Sequence, residues 1–280
     1  MAEVPTVQLI DEVASAIRRV ADQAIVPRFR ALERSAITEK APGDWVTDAD
    51  HESEELLTKA LLELDPGVAV VGEEAAAADE SILAGAHAHD RAWVLDPLDG
   101  TRSFIDGSPD FATMVALTED GLTTAAWIWH PIHQRMYTAV RGGGAFVDGV
   151  QLPQPDPPAT DRAGWRGVLR TRLMTPDLRA AAMDGFAAEG LEHTPVSAAG
   201  MVYPMAATGE LTHALYWRTL PWDHAPGTLL AEEVGLTVAR LDGSPYRPWD
   251  GRFGVLTAAN ETVWDGVRAA LPRSIDDTGE

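Results

Sequence analysis

Asp96 and Asp99 close an apolar run. Ala92-Trp93-Val94-Leu95 reads as a buried strand, and Asp96-Pro97-Leu98-Asp99-Gly100-Thr101 follows it directly. Two carboxylates at the end of an apolar strand cost folding free energy unless a metal ion, an Arg or Lys, or a helix N-terminus neutralises them. Hard divalent cations such as Mg²⁺ take oxygen ligands and often sit beside a substrate phosphate. Asp96 and Asp99 bracket a turn fixed by Pro97, so both carboxylates and the Leu98 carbonyl between them can point at one centre. Gly100-Thr101 then starts a helix, whose free N–H groups and dipole favour an anion. This stretch can hold a cation and a phosphate side by side.

Acidic residues gather at three further element boundaries. These are Asp44, Asp48 and Asp50 in GDWVTDAD, Glu73 and Glu74 in VVGEE, and Asp223 in PWDHAPG. Each also has a plain structural reading: Asp is a favoured helix N-cap, and a Glu pair after a strand can be solvated. A metal site needs the pieces together. The histidines are scattered without convincing metal spacing: His87 and His89 fall in a surface loop, His130 and His133 near a turn, and His224 beside Asp223. The glycines of RGGGAFVDG lack the helix context of a nucleotide loop and read as turns. Trp45, Trp217 and Trp222 flank motif residues and suit a pocket wall.

The elements that must position these residues follow from periodicity. Leu9, Val13, Ile17, Val20 and Ala24 recur at helical spacing, predicting one amphipathic helix over 7–32. A second helix starts at His51, carries Leu57, Leu61 and Leu64 on one face, and stops at Pro66-Gly67. Between them, 37–50 reads as a polar connection, and GVAVVGEE as a short strand. The stretch 81–90 reads as a surface excursion. Strand-like runs on either side of Asp120-Gly121 predict a hairpin, and 135–149 continues in that style. The Pro-rich stretch 151–164 reads as a linker. Beyond it, helical patterns at 201–211, 223–235 and 261–271 alternate with strand patterns at 213–217, 237–246 and 253–260.

Composition narrows the function classes. The chain has 280 residues, 43 acidic against 22 basic, and a formal net charge of −21. Binding to a nucleic-acid backbone or an anionic membrane surface needs a basic face, so neither is expected. Cysteine is absent, which rules out disulfides, thiolate catalysis and zinc-thiolate sites, and fits a reducing cytoplasm. The start of the sequence has no basic segment followed by an apolar run, so no signal peptide is expected. No apolar run approaches the ~20 residues of a membrane span.

Taken together and in order, GDWVTDAD, VVGEE, WVLDPLDGTRSF and PWDHAPGTLLAEEVG resemble the inositol monophosphatase family, within the lithium-sensitive, magnesium-dependent phosphatase superfamily. The likeness runs from Gly43 to Gly235, and DPLDGT is its most specific part; GAFVDG and GVLTAAN also resemble family segments. It implies a layered α/β sandwich, αβαβα, with mixed sheets. An N-terminal half (1–150) would carry most metal ligands and a C-terminal half (151–280) would supply Asp223, the two forming one catalytic unit. The resemblance makes Glu73, Asp96, Asp99 and Asp223, with the Leu98 carbonyl, ligands of two or three Mg²⁺ ions, and gives Asp50 a weaker additional metal. Gly100 and Thr101 would offer N–H groups to the phosphate. The Thr101 hydroxyl and Glu73 would orient and help deprotonate a water on the metal for in-line attack, with no covalent enzyme intermediate. Family relatives are commonly homodimers.

Two departures bear on substrate. The family's inositol-contacting Glu lies a few residues before the Trp-Asp pair, where LYWRTLPWD has no carboxylate and offers Tyr216 or Arg218 instead. Its Gly-Ser-Ala turn reads PVSAAGMVY, which leaves Ser197 as the candidate contact. Arg218 is either a surface residue or a partner for a second phosphate or a carboxylate. Lys40 is either solvated or leans toward the metal-phosphate site. The expectation is a phosphomonoesterase for a small metabolite: an inositol monophosphate, 3'-phosphoadenosine 5'-phosphate, histidinol phosphate or a sugar (bis)phosphate. A haloacid-dehalogenase-type phosphatase is disfavoured, because its two aspartates are separated by one residue and these by two. A non-catalytic relative that binds phosphate or metal is the remaining alternative.

Overall fold

The computed structural model describes residues 5–85, 89–160, 162, 164–194, 196, 198–273 and 275. Helix α1 (Val7–Val20) buries Val13, Ile17 and Val20, and the Thr6 hydroxyl caps it by accepting the Leu9 N–H. The expected single helix over 7–32 is shorter than that: a π turn (Ala21–Ile25) and a 3-10 turn (Val26–Arg28) follow. Pro27 has no N–H to give an i−4 carbonyl, which stops the regular helix there. The expected polar connection is instead a hairpin of β1 (Ile37–Ala41) and β2 (Asp44–Thr47), turned at Gly43 with φ of 76°. Helix α2 (Asp48–Leu64) begins at Asp48 rather than His51, because Thr47 and Asp50 form a reciprocal capping box.

Strand β3 (Ala69–Gly72), helices α3 (Glu73–Ala78) and α4 (Glu80–Gly85), and strand β4 (Arg91–Asp99) come next. The expected surface excursion is thus partly helical; His87 lies outside the described residues. Helix α5 (Thr101–Ile105) leads to β5 (Ala112–Glu119), β6 (Leu122–His130), β7 (Arg135–Val140), β8 (Gly144–Val147) and β9 (Val150–Gln151). These strands form one sheet in the order β3-β4-β5-β6-β7-β8-β9, parallel at β3/β4 and antiparallel elsewhere. The predicted hairpin joins β5 to β6, with Asp120 at φ 52° and Gly121 at φ 74°, both left-handed as a two-residue turn requires.

The second half holds β10 (Arg166–Arg170), α6 (Pro176–Ala188), β11 (Glu192–His193), α7 (Ala199–Ala207), β12 (His213–Tyr216), α8 (Pro221–Glu233), β13 (Thr237–Arg240), β14 (Val255–Ala258) and α9 (Glu261–Ala269). Its sheet runs β11-β10-β12-β14-β13. Strand β10 and helix α6 are not marked by the sequence pattern. The Pro-rich linker starts on the core: Leu152 packs against the central apolar cluster.

Period-two alternation on β4 sets the layers. Trp93 and Leu95 join Val13, Ile17, Leu57 and Leu61 of α1 and α2 on one face. Ala92 and Val94 meet Trp222 and Ala225 of α8 on the other. Val202, Tyr203 and Leu229 of α7 and α8 lie between the sheets, touching Met114 and Ile128 of the first and Ala214 and Val255 of the second. Leu178 and Phe186 of α6 and Val263 and Val267 of α9 cover the outer face of the second sheet against Leu215 and Leu256. The architecture is αβαβα, as the resemblance implies. Among the described residues no helix is long and apolar enough to cross a membrane.

Candidate metal and phosphate site

A bulge brings the two aspartates of β4 together. Asp96 lies opposite Met114 and Asp99 opposite Ala112, so three steps on β4 face two on β5. An unbroken strand sends residues three apart to opposite faces, whereas the extra residue rotates both carboxylates onto one cavity. Glu73 opens α3 and Asp223 sits in the first turn of α8. Glu73, Asp96 and Asp223 each offer an oxygen, and these lie within 4.8 Å of one another. Asp99 lines the same cavity, but its Oδ2 accepts the Gly200 N–H at 2.6 Å, at the start of α7. Gly200 must be glycine for this approach, since a Cβ there would sit 2.5 Å from the Ala112 Cβ.

Burial, followed by the charges of Glu73 and Asp99, holds the carboxyls of Asp96 and Asp223 well above the usual range. Burial pushes Asp99 up to about 7, against the pull of the Gly200 N–H. Mutually repelling oxygen donors of this kind fit a hard divalent cation, Mg²⁺, Mn²⁺ or Ca²⁺. A pH signature follows. A carboxyl whose folded pKa is raised contributes stability at low pH that is lost as pH rises from about 4 through 7. A cation that offsets this repulsion is therefore expected to raise the thermal midpoint little at pH 4 and progressively more up to pH 7 and above. Scanning calorimetry with Mg²⁺ and with EDTA checks this; an increment independent of pH contradicts it.

The phosphate side lies beside the carboxylates. Gly100 takes φ of 92°, and a helix start such as Thr101 leaves its first N–H groups without intrahelical acceptors. The Thr101 hydroxyl lies 3.1 Å from Asp50 Oδ1 and 3.1 Å from the Leu98 carbonyl. Asp50 Oδ2 accepts the Thr47 N–H at 2.8 Å and its hydroxyl at 2.6 Å, so one carboxylate both caps α2 and receives Thr101. Burial raises the Asp50 carboxyl to about 7.

A sequence model of the inositol monophosphatase family matches residues 6–276. The chain belongs to the inositol monophosphatase family. It is 30% identical over 268 residues to an inositol-1-monophosphatase of Rhizobium meliloti (strain 1021), covering 91% of this chain and 93% of that one. A fructose-1,6-bisphosphatase/inositol-1-monophosphatase of Aquifex aeolicus (strain VF5) is 29% identical, covering 91% and 92%. The crystal structure of the extragenic suppressor protein suhB from Bartonella henselae superposes with a TM-score of 0.79 at 22% identity, covering 95% and 99%, and supports the fold.

In this member of the inositol monophosphatase family, Lys40 is not solvated. Its Nζ reaches Glu73 at 3.1 Å and Glu74 at 2.8 Å. Burial opposes its charge, but Glu73 and Glu74 outweigh burial and hold the ammonium protonated. Sequence reasoning missed Glu54, whose carboxylate accepts the Glu74 N–H at 2.8 Å and the Ala75 N–H at 2.7 Å, fixing the helix that carries Glu73. Gly72 leaves room for it, since a Cβ there would lie 2.4 Å from the Glu54 carboxyl carbon. Its one sequence signal is the four-residue spacing from Asp50, which puts both on one face of α2. His130 was also missed in this role: Nε2 lies 2.8 Å from the Gly200 carbonyl and steadies the turn that holds Asp99.

His224 lines the cavity with both ring nitrogens engaged. The Arg218 carbonyl can only accept, so Nε2 donates to it at 3.0 Å and Nδ1 faces the Tyr203 hydroxyl at 3.0 Å. Burial lowers its pKa to about 3 and keeps it neutral. Tyr216 and Arg218 both line the cavity, as does Asp44, which is neither a cap nor part of the carboxylate cluster. Its Oδ2 pairs with Arg172 at 2.8 Å and stands 3.7 Å from Arg218. Ser197 lies outside the described residues.

Proposed function

We propose that this chain is a magnesium-dependent phosphomonoesterase that hydrolyses a small phosphorylated metabolite, its two halves (1–150 and 151–280) working as one catalytic unit. The observation that carries this is one cavity of about 210 Å³ that joins the Glu73, Asp96 and Asp223 carboxylates to the Gly100-Thr101 helix start. Glu73, Asp96, Asp99 and Asp223, with the Leu98 carbonyl, would hold two or three Mg²⁺ ions, with Asp50 reaching the site through the Thr101 hydroxyl. The cations supply charge neutralisation of the phosphate and Lewis-acid polarisation when bound.

The chain's own groups do the rest. The N–H groups of Gly100 and Thr101 bind phosphate oxygens and orient the phosphoryl group for in-line attack. Thr101 Oγ1 accepts the proton of the attacking water and passes its own to Asp50 Oδ1. Asp50, raised to about 7, is matched to taking up a proton at neutral pH. Glu73 shares this work through its place in the cluster, with Lys40 holding one of its oxygens. No covalent intermediate is needed: His224 has no free nitrogen and the chain has no cysteine.

The Rhizobium relative is named for inositol 1-phosphate and the Aquifex relative also for fructose 1,6-bisphosphate, which puts both first among substrates. Phosphate release from inositol 1-phosphate, fructose 1,6-bisphosphate, histidinol phosphate and 3'-phosphoadenosine 5'-phosphate tests the proposal. Turnover is expected with Mg²⁺, abolished by EDTA and suppressed by Li⁺. No release from any of these esters by the folded, Mg²⁺-loaded protein would overturn it.

A further inference from the structure

The floor of the cavity is acidic and its mouth is basic. In a chain of net charge −21, the lining includes Arg102, Arg170, Arg172 and Arg218. Arg102 is committed elsewhere, to Asp106 at 2.7 Å and over the Trp45 ring. The other three come from one place in the fold. Arg170 ends β10, Arg172 follows it, and Arg218 follows β12, which pairs with β10 in parallel with Arg170 opposite Tyr216. The carboxyl ends of adjacent parallel strands are where open α/β sheets receive ligands.

Donor counting shows unused capacity. Each guanidinium carries five N–H donors. Among the described residues the Arg170 side chain makes no hydrogen bond or ion pair, Arg172 makes one, to Asp44, and Arg218 stands 3.7 Å from the same carboxylate. A carboxylate of the chain itself, on the β1–β2 hairpin, thus already shows that an anion fits between Arg172 and Arg218. Among the described residues the Tyr216 hydroxyl, buried in the cavity wall, has no hydrogen-bond partner. This end of the pocket thus presents cations and a hydroxyl to the ligand.

We propose that the substrate carries a second anionic group, a carboxylate or a second phosphate, and that Arg170, Arg172 and Arg218 bind it while the metal cluster takes the phosphate that is cleaved. The proposal rests on the phosphomonoesterase reading and narrows it. Arg170 supplies a full set of free donors, and Arg172 and Arg218 share theirs between Asp44 and the ligand. Arg218 is also tied through its carbonyl to His224, next to Asp223, so it is held in register with the metal cluster.

The test compares matched pairs with the Mg²⁺-loaded full chain: glycerol 3-phosphate against 3-phosphoglycerate, and fructose 6-phosphate against fructose 1,6-bisphosphate. The doubly anionic member of at least one pair is expected to have the higher kcat/KM by roughly tenfold or more, and which pair shows it separates carboxylate from phosphate. In Arg170→Ala and in Arg218→Ala the ratio within that pair is expected to fall toward one, mainly through KM. Arg170→Lys, which keeps the charge but loses the fork, is expected to fall between. Arg170 is exposed at a strand end, so its variants test the idea even if Arg218→Ala folds poorly. Equal kcat/KM within both pairs, or a preference that survives in Arg170→Ala, overturns the inference and leaves the phosphatase reading standing. No release from either member of either pair overturns the inference alone if inositol 1-phosphate, histidinol phosphate or 3'-phosphoadenosine 5'-phosphate is still hydrolysed; no release from any of these esters sinks both.

Discussion

Asp223→Asn is expected to lower magnesium-dependent phosphate release by about 10³-fold, with the loss in kcat, while the metal-free protein becomes more stable. Asn has the shape of Asp but not its charge, so the cluster loses one of three anionic oxygens that lie within 4.8 Å of one another. The fold meanwhile loses a repulsion: burial and the charges of Glu73 and Asp99 already hold the Asp223 carboxyl far above its ordinary pKa. Activity falling while the apo melting temperature rises is the signature of a group kept for function at a cost in stability. Steady-state kinetics at saturating Mg²⁺ and a melt in EDTA measure the two arms. Full activity in this variant would remove Asp223 from the metal site.

Arg240→Leu is expected to destabilise the chain by about 3–5 kcal/mol, read from the urea midpoint. Arg240 is buried at the end of β13, and its guanidinium is used almost completely. Nε bonds Asp250 Oδ2 at 3.1 Å, Nη1 bonds the Thr219 hydroxyl at 3.0 Å and the Gly254 carbonyl at 3.2 Å, and Nη2 bonds Asp250 Oδ1 and the Arg247 carbonyl. Its Cζ lies 4.6 Å from the centre of the Tyr246 ring. Leucine fills the volume but strips Asp250 of its guanidinium partner, leaving that carboxylate the Arg252 N–H, and takes a donor from the Gly254 and Arg247 carbonyls. The double variant Arg240→Leu/Asp250→Leu is expected to recover part of the loss, because the stranded charge goes with it. A single-variant loss below about 1 kcal/mol would show the network to be ornamental. Thr219 lies in the segment before α8, so this hub also steadies the approach to Asp223.

Residue types and their local spacing carry the chemistry. An apolar strand ending in two aspartates is costly to fold without a cation nearby, the following Gly-Thr offers a place for an anion, and three further acidic clusters at element boundaries repeat the signal. Apolar patterns located α1, α2, the β5–β6 hairpin, α7, α8 and α9: α1, α2 and α9 bury one face each, whereas β5, β6, α7 and α8 are apolar almost throughout because they are packed on both sides. Local patterns were weakest where contacts are long-range. The β1–β2 hairpin is short and mostly polar, and β10 is held by pairing with β12, more than forty residues away.

Convergence of these groups in space comes from strand pairing and helix packing. The Pro97 turn lets Asp96 and Asp99 point at one centre, and the structure achieves this through a bulge in the pairing with β5, since an unbroken strand would send them to opposite faces. Asp50 is a helix cap by its local sequence and a proton acceptor for Thr101 only through a contact 51 positions apart. Glu54, Lys40 and His130 carry no motif, and each acts through a partner supplied by another element: the start of α3, the Glu73-Glu74 pair, and the Gly200 carbonyl. The three arginines at the cavity mouth are dispersed in sequence and become one surface because β10 and β12 are parallel neighbours. Residue type sets what a group can do at short range, and is therefore legible along the chain. Which groups do it together depends on strand pairing and helix packing, where the free energy comes from burial shared across the whole core.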